Sequence, residues 1–395
     1  MRQSFDRLTF LTGSAEELEN LPNIKALPVF SEQSVDFLTA LSKELLADSR
    51  TKQYPDLSAY AFWIRKASLA KMREKYEGCG RMGRGVSFHI APSNVPVAFA
   101  MSFTAGLLAG NACIVRVSNK EHAQVDIIVR ALRRLFDGEF REMAPYLHLV
   151  RYAHDAEITQ ALSDLCDVRV IWGGNRTIST IRAAALPPRA IELTFADRYS
   201  LAVIDADRYL EADTKKVADA FYLDTYYSDQ AACSSPRLVF WLGKRIDEAQ
   251  ERFWGALDEL VREKYALQSV QCVDKLDAFC RLAVRHPDIR RSGDGLLTRV
   301  TVPELYSDLM EHKENGGYFF EYRANALEEL AALLKKPCQS IGYFGVAPED
   351  IRQVVLANGV RGADRIVPLG QTMELSLIWD GFDLVESMSR IVETR

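Results

Sequence analysis

Residues 85–115 contain no Asp, Glu, Lys or Arg, and 95–109 within them are apolar almost throughout. Such a stretch either crosses a membrane or is buried inside a protein. The apolar part is about 15 residues long, short of the ~20 that a bilayer requires. Ser102 and Thr104 dilute it, Pro96 stands where a first helical turn tolerates proline, and Gly106, Gly110 and Asn111 mark an end. The expectation is a buried helix rather than a span.

The surrounding pattern says what buries it. Apolar, β-branched runs at 85–91, 112–117, 147–151, 167–172 and 200–205 alternate with helical periodicity at 95–109, 121–136, 155–164 and 177–185. That alternation predicts βαβ units and a mostly parallel, doubly wound sheet covered on both faces. Residues 1–80 read as mainly helical, with apolar spacing over 34–46 and 57–76. Beyond about residue 206 come a helix (213–226), a strand (237–241) and a long helix (246–266), which suggests a second α/β domain with its border near residue 200.

Composition narrows the class. The chain has 395 residues with a net charge of −5 and no basic block, so it lacks the footprint of a nucleic-acid binder. Seven scattered cysteines never form CxxC, which argues against a disulfide framework or a zinc ribbon, and no His/Asp/Glu spacing suggests a metal. The first residues do not read as a signal peptide, so the expected location is cytoplasmic.

Three places could carry chemistry. Cys233 sits among Ala231, Ala232, Ser234 and Ser235 after a predicted helix. There a thiolate could be approached and stabilised, although an inert, packed thiol fits the pattern equally well. Cys113 and Cys166 lie in apolar patterns and read as core. His89, Ser93 and Asn94 end the first strand, where open α/β sheets bind ligands. The Asn94 amide could donate to an oxyanion, or its oxygen could cap the following helix. Ile171-Trp-Gly-Gly-Asn-Arg-Thr177 runs from strand through paired glycines into a helix, either a phosphate-binding turn or a plain βα turn. Gly78-Cys-Gly-Arg-Met-Gly83 matches GxGxxG, but a helix precedes it and a strand follows, so a connecting loop is expected.

In order along the chain, His89-Ile-Ala-Pro-Ser-Asn-Val-Pro96, Gly110-Asn-Ala-Cys-Ile-Val-Arg-Val-Ser118, Trp172-Gly-Gly, Asp229-Gln-Ala-Ala-Cys-Ser-Ser-Pro236 and Asp364-Arg-Ile-Val-Pro-Leu-Gly370 resemble the bacterial long-chain acyl-CoA reductases. That family includes the fatty acid reductase of bacterial bioluminescence and belongs to the aldehyde dehydrogenase superfamily. The resemblance implies an aldehyde-dehydrogenase-like α/β fold of two doubly wound domains with a cleft between them. Residues 1–198 would be a helical lead-in and NADP-binding domain, 199–376 the catalytic domain, and 377–395 a tail serving as an oligomerisation element.

It further implies NADPH-dependent reduction of a fatty acyl thioester, borne by CoA or another carrier, to the aldehyde through a Cys-linked acyl-enzyme. NAD is the alternative cofactor, an acyl-transferring enzyme a partner, and a homo-oligomer the assembly. Cys233 matches the nucleophile, Asn94 the oxyanion donor, and Glu192, in a partial Glu-Leu-Gly-Gly match, the general base. Pro92, Ser93, Arg116, Ser118, Trp172, Gly173, Gly174 and Thr177 are the implied cofactor residues. Arg116 replaces the superfamily's usual Lys and would suit a 2′-phosphate. The competing readings are an aldehyde dehydrogenase working in the oxidising direction and a non-catalytic nucleotide-binding scaffold.

Overall fold

The computed structural model describes residues 2–394. The chain forms two compact units: one runs to Ala196 and resumes at Leu375, and the other is Asp197–Glu374.

The first unit is built on six strands: β1 (Thr9–Thr12), β2 (Val86–Ile90), β3 (Ala112–Arg116), β4 (Leu147–Arg151), β5 (Val168–Trp172) and β6 (Ile191–Phe195). Their order is β1-β4-β3-β2-β5-β6. All neighbours are parallel except β1, which runs against β4. The chain leaves β2 towards β3 and β4, then returns to the other side for β5 and β6. That reversal creates a switch point at the carboxyl ends of β2 and β5, the place where open α/β sheets form a ligand crevice.

Helices cover both faces. Glu32–Ala47 (α1), Ala98–Leu108 (α2) and Ala123–Asp137 (α3) bury Phe37, Leu41, Phe103, Leu107, Ile128 and Leu132 against one face. Ala156–Leu165 (α4) and Asn175–Arg182 (α5) bury Ile158, Leu162, Ile178 and Ile181 against the other. The charge-free stretch is therefore β2, a loop, α2 and β3. Every residue of α2 from Phe99 to Leu108 is buried, which explains an apolar character on all sides. Among the described residues no helix is long and apolar enough to cross a membrane.

Gly106 lies inside α2 rather than at its end, and its reason is close packing. A Cβ there would stand 2.6 Å from Cys113 Sγ and 2.9 Å from His89 Nε2. Two strands escape the helical and apolar-run patterns, β1 and β6. The expected helix at 57–76 is instead two, Pro55–Trp63 and Lys66–Arg73. Gly78–Gly83 is a loop leading into a short strand, Arg81–Gly83, that pairs antiparallel with Ser389–Ile391 from the returning tail. The tail's Leu384, Val385 and Met388 enter the same core as α2.

The second unit holds seven strands: β7 (Tyr199–Asp205), β8 (Pro236–Leu242), β9 (Arg290–Gly293), β10 (Thr298–Thr301), β11 (Tyr318–Arg323), β12 (Cys338–Phe344) and β13 (Arg365–Pro368). Their order is β9-β10-β11-β8-β7-β12-β13, parallel except for the β9–β10 hairpin. Thr214–Asp224 (α6) and Ile246–Lys264 (α7) pack an aromatic core of Phe221, Phe253, Trp254 and Trp241 on one face. Ser269–Arg285 (α8) contributes Ala278 and Leu282 to the other.

Candidate active site

A pocket of about 500 Å³ opens at the switch point of the first unit. Its walls are the carboxyl ends of β2 (Ile90 to Asn94), β3 (Arg116 to Lys120) and β5 (Trp172 to Gly174), with Thr177 of α5 and His154. Pro92, Ser93, Asn94, Arg116, Ser118, Trp172, Gly173, Gly174 and Thr177 all line it. Asn119, Lys120 and His154 join them without having been singled out in the sequence; they follow the ends of β3 and β4 and could have been found by extending each strand by a few residues.

The lining suits a phosphate-rich ligand. Gly174 is the N-cap of α5 and no side chain caps that end. A Cβ on Gly173 would meet Thr177 Cγ2 at 3.0 Å, so a bare backbone is what lets the turn sit on the helix. Arg116 stacks over Tyr152, 4.6 Å from guanidinium carbon to ring centroid, and donates to the Tyr152 carbonyl at 3.4 Å. With Lys120 it puts two cations on the pocket wall, and among the described lining residues there is no Asp or Glu. An anionic dinucleotide fits this donor set.

Asn94 is exposed in the pocket, and it does not cap α2: the N-cap is Val97, with no side-chain cap bond. His89 lies behind the pocket rather than in it, fully buried. Burial pushes its imidazole down to about 3, so the ring is neutral at physiological pH. Trp172 Nε1 donates to Ser102 Oγ at 2.9 Å, Ser102 Oγ meets His89 Nδ1 at 2.7 Å, and His89 Nε2 meets Ser87 Oγ at 2.8 Å. Ser87 donates onward to the Ala112 carbonyl at 3.2 Å. When the single Ser87 proton goes to the Ala112 carbonyl, the ring proton sits on Nε2 and Nδ1 accepts from Ser102. It ties the Trp172 indole, stacked on Phe195 at 3.8 Å, to the sheet interior.

Glu192 stands on β6 opposite Arg169 of β5, outside the pocket lining. One carboxylate oxygen accepts from Arg169 at 2.6 Å and the other from Arg182 at 2.6 Å. Arg169 is itself buried and also donates to Ser163 and the Ala184 carbonyl. These contacts make Glu192 part of an ion-pair cluster joining β5, β6 and α5.

Cys233 lies in the second unit, partly exposed, in the loop between α6 and β8. Two consecutive non-glycine residues just before it, Asp229 (φ 57) and Gln230 (φ 54), adopt the left-handed conformation. Strain of this kind persists only where the surroundings hold it. Here the buried Gln230 side chain donates to the Pro236 and Tyr318 carbonyls and accepts from the Gly317 and Tyr318 amides. Asp229 accepts from Tyr265 and Gln271. The Cys233 carbonyl accepts from Ser200 Oγ at 2.8 Å, and Ser200 accepts from the Ser340 amide.

Arg237 is buried and still protonated at neutral pH, although burial lowers it to about 10, and it feels the charge of Cys233. A cation so placed favours the thiolate. In contrast Cys113, Cys166 and Cys338 are buried thiols pushed up to about 12 by desolvation.

A family profile described as acyl-CoA reductase (LuxC) matches residues 23–269, a range containing the pocket, Asn94 and the Cys233 loop. A long-chain acyl-protein thioester reductase of Aliivibrio fischeri is 27% identical over 165 residues, 41% of this chain and 33% of that protein. Another, of Photobacterium phosphoreum, is 27% identical over 184 residues, 46% of this chain and 35% of that one. The matched part thus spans about a third of these relatives' length. Among solved structures, aldehyde dehydrogenase 21 of Physcomitrella patens superposes with a TM-score of 0.69 at 11% identity, covering 95% of this chain and 87% of that one. An NAD-dependent benzaldehyde dehydrogenase of Corynebacterium glutamicum gives 0.64 at 14%, covering 95% and 88%. At such identities the likeness is one of fold, and the α/β fold is that of the aldehyde dehydrogenases. The chain belongs to the acyl-CoA reductase (LuxC) family.

Proposed function

We propose that the chain reduces a fatty acyl thioester, carried by CoA or by a protein, to the aldehyde, with the first unit binding NADPH and the second supplying the nucleophile. The observation that carries this reading is the Cys233 loop, where two left-handed residues, Asp229 and the fully buried Gln230, end three positions before a partly exposed thiol. An inert core cysteine needs no such support.

In this mechanism the Cys233 thiolate, favoured by Arg237, attacks the thioester carbonyl carbon and the carrier thiol leaves. The acyl group is then bonded to Sγ, which divides one difficult reduction into two easier steps. NADPH, when bound, supplies the hydride. The Cys233 backbone N–H donates to the oxyanion that develops, a donor of this kind contributing about 3 kcal/mol in the transition state. Collapse of the thiohemiacetal releases aldehyde and restores the thiol.

Arg116 and Lys120 would hold the cofactor's phosphates, and the Gly173–Gly174 turn would let the pyrophosphate approach α5. Dinucleotide sites that take NAD commonly place a carboxylate on the ribose hydroxyl. Among the described lining residues there are cations and no carboxylate, which favours the 2′-phosphate of NADPH. Glu192 receives no catalytic role, because Arg169 and Arg182 occupy both its oxygens. Hydrolytic aldehyde oxidation, which needs a base to activate water, is correspondingly disfavoured.

The test is NADPH consumption and aldehyde release by the purified chain across C4 to C16 acyl-CoA substrates. One aldehyde per NADPH is expected, and no turnover with any acyl thioester would overturn the reading.

A further inference from the structure

The charge-free stretch that builds the core of the first unit is not apolar throughout: Ser87, His89 and Ser102 are buried within it. Buried polar groups cost stability unless they are hydrogen-bonded, and these are bonded to one another through the two imidazole nitrogens, at 2.7 Å and 2.8 Å. Room for the ring comes from Gly106, where a Cβ would stand 2.9 Å from His89 Nε2. At its outer end the chain of bonds stops at Trp172, whose Nε1 donates to Ser102 Oγ at 2.9 Å and which lines the pocket at the end of β5.

Packing alone could hold an indole there. The ring stacks on Phe195 with centroids 3.8 Å apart and meets Trp379 edge-on at 6.2 Å. Stacking fixes the plane of a ring without fixing its rotation within that plane. Nε1 is the indole's one hydrogen-bonding atom, so its bond to Ser102 settles which edge turns inward and which is left for the pocket. A buried network with its members satisfied is rigid and specifies one arrangement. The most apolar part of the chain thus accepts polar side chains whose bonds lead to the pocket wall.

We propose that Ser102 and His89 are positioning residues for cofactor binding, which lock the Trp172 indole as the seat of the nicotinamide half of the dinucleotide. The proposal rests on the reading of the pocket as a dinucleotide site. With the 2′-phosphate at Arg116 and the pyrophosphate at the Gly173–Gly174 turn, the nicotinamide half falls to the part of the wall that Trp172 and Asn94 supply. An indole that turns in its plane presents a different edge to that half and leaves the adenosine half undisturbed.

Equilibrium binding of NADPH, compared with adenosine 2′,5′-bisphosphate, which lacks the nicotinamide half, tests this. S102A should weaken NADPH about tenfold and leave the bisphosphate within about twofold. H89L, which removes the acceptor that orients the Ser102 hydroxyl, should do the same, and thermal midpoints report that both variants are folded. Because each acts through Trp172, neither change should weaken NADPH further in a W172F background. Equal weakening of the two ligands, no weakening of either, or effects that persist in W172F would overturn the inference while leaving the dinucleotide reading in place. Failure of the unaltered chain to bind NADPH would overturn both.

Discussion

At the scale of the residue, the groups proposed to act on a ligand differ from those that hold the frame. Glu192 belongs to the frame. E192Q should leave kcat within about twofold while lowering stability by about 3 kcal/mol, because Arg169 would remain buried without its counter-charge. Loss of activity in a stable E192Q protein would return the residue to catalysis. On the proposed reading Arg116 holds the cofactor. R116Q should raise KM for NADPH at least about tenfold and leave KM for NADH nearly unchanged, through loss of a charge-assisted contact to the 2′-phosphate; an equal effect on both cofactors would count against that contact.

His89 gives a prediction in pH. Its native pKa is held down at about 3 by burial, against an ordinary value of 6.5. Between those values the unfolded chain binds a proton that the native one refuses, so this contribution to stability falls as pH drops from 6.5 towards 3. H89Q should flatten the slope of unfolding free energy over that window in denaturant melts, and an unaltered slope would show that another group carries it.

At the scale of the element, α2 balances propensity against packing. Replacing Gly106 by Ala raises helix propensity by about 1 kcal/mol. The new Cβ would still collide with Cys113 and His89. Overpacking costs about 1–3 kcal/mol, so G106A should be net destabilised in a urea melt, and a stabilised variant would mean that α2 can shift away from the sheet.

The elements also show what could be read in advance. The pocket-lining segments end apolar β-runs, and parallel βα units bring such ends to one edge, so Asn94 and the Trp172–Gly174 turn are legible from spacing, whereas Arg116 enters only through the family resemblance. Strand β1 is a four-residue edge strand, and β6, an edge strand as long as β2 to β5, alternates Glu192 and Thr194 with apolar residues instead of forming an apolar run. The role of Glu192 depends on sheet register, since Arg169 lies 23 residues away along the chain. The tail's return is harder still: Arg81 and Ser389 are separated by 308 residues.

At the scale of the whole molecule, each of the two units carries its own sheet with cores on both faces. A ligand of the first unit should therefore raise the stability of the fold that binds it. At a hundred times its dissociation constant NADPH should add about 2.7 kcal/mol, raising the thermal midpoint, with NADH at the same concentration adding less. Equal shifts would remove the preference argued from Arg116 and Lys120.

The most direct measurement is intact and peptide mass spectrometry after exposing the chain to a long-chain acyl-CoA without NADPH. The account predicts one acyl group per chain on the peptide containing Cys233, its release as aldehyde when NADPH is added, and no adduct in C233A. An adduct that persists in C233A, or one that NADPH fails to discharge, would contradict it.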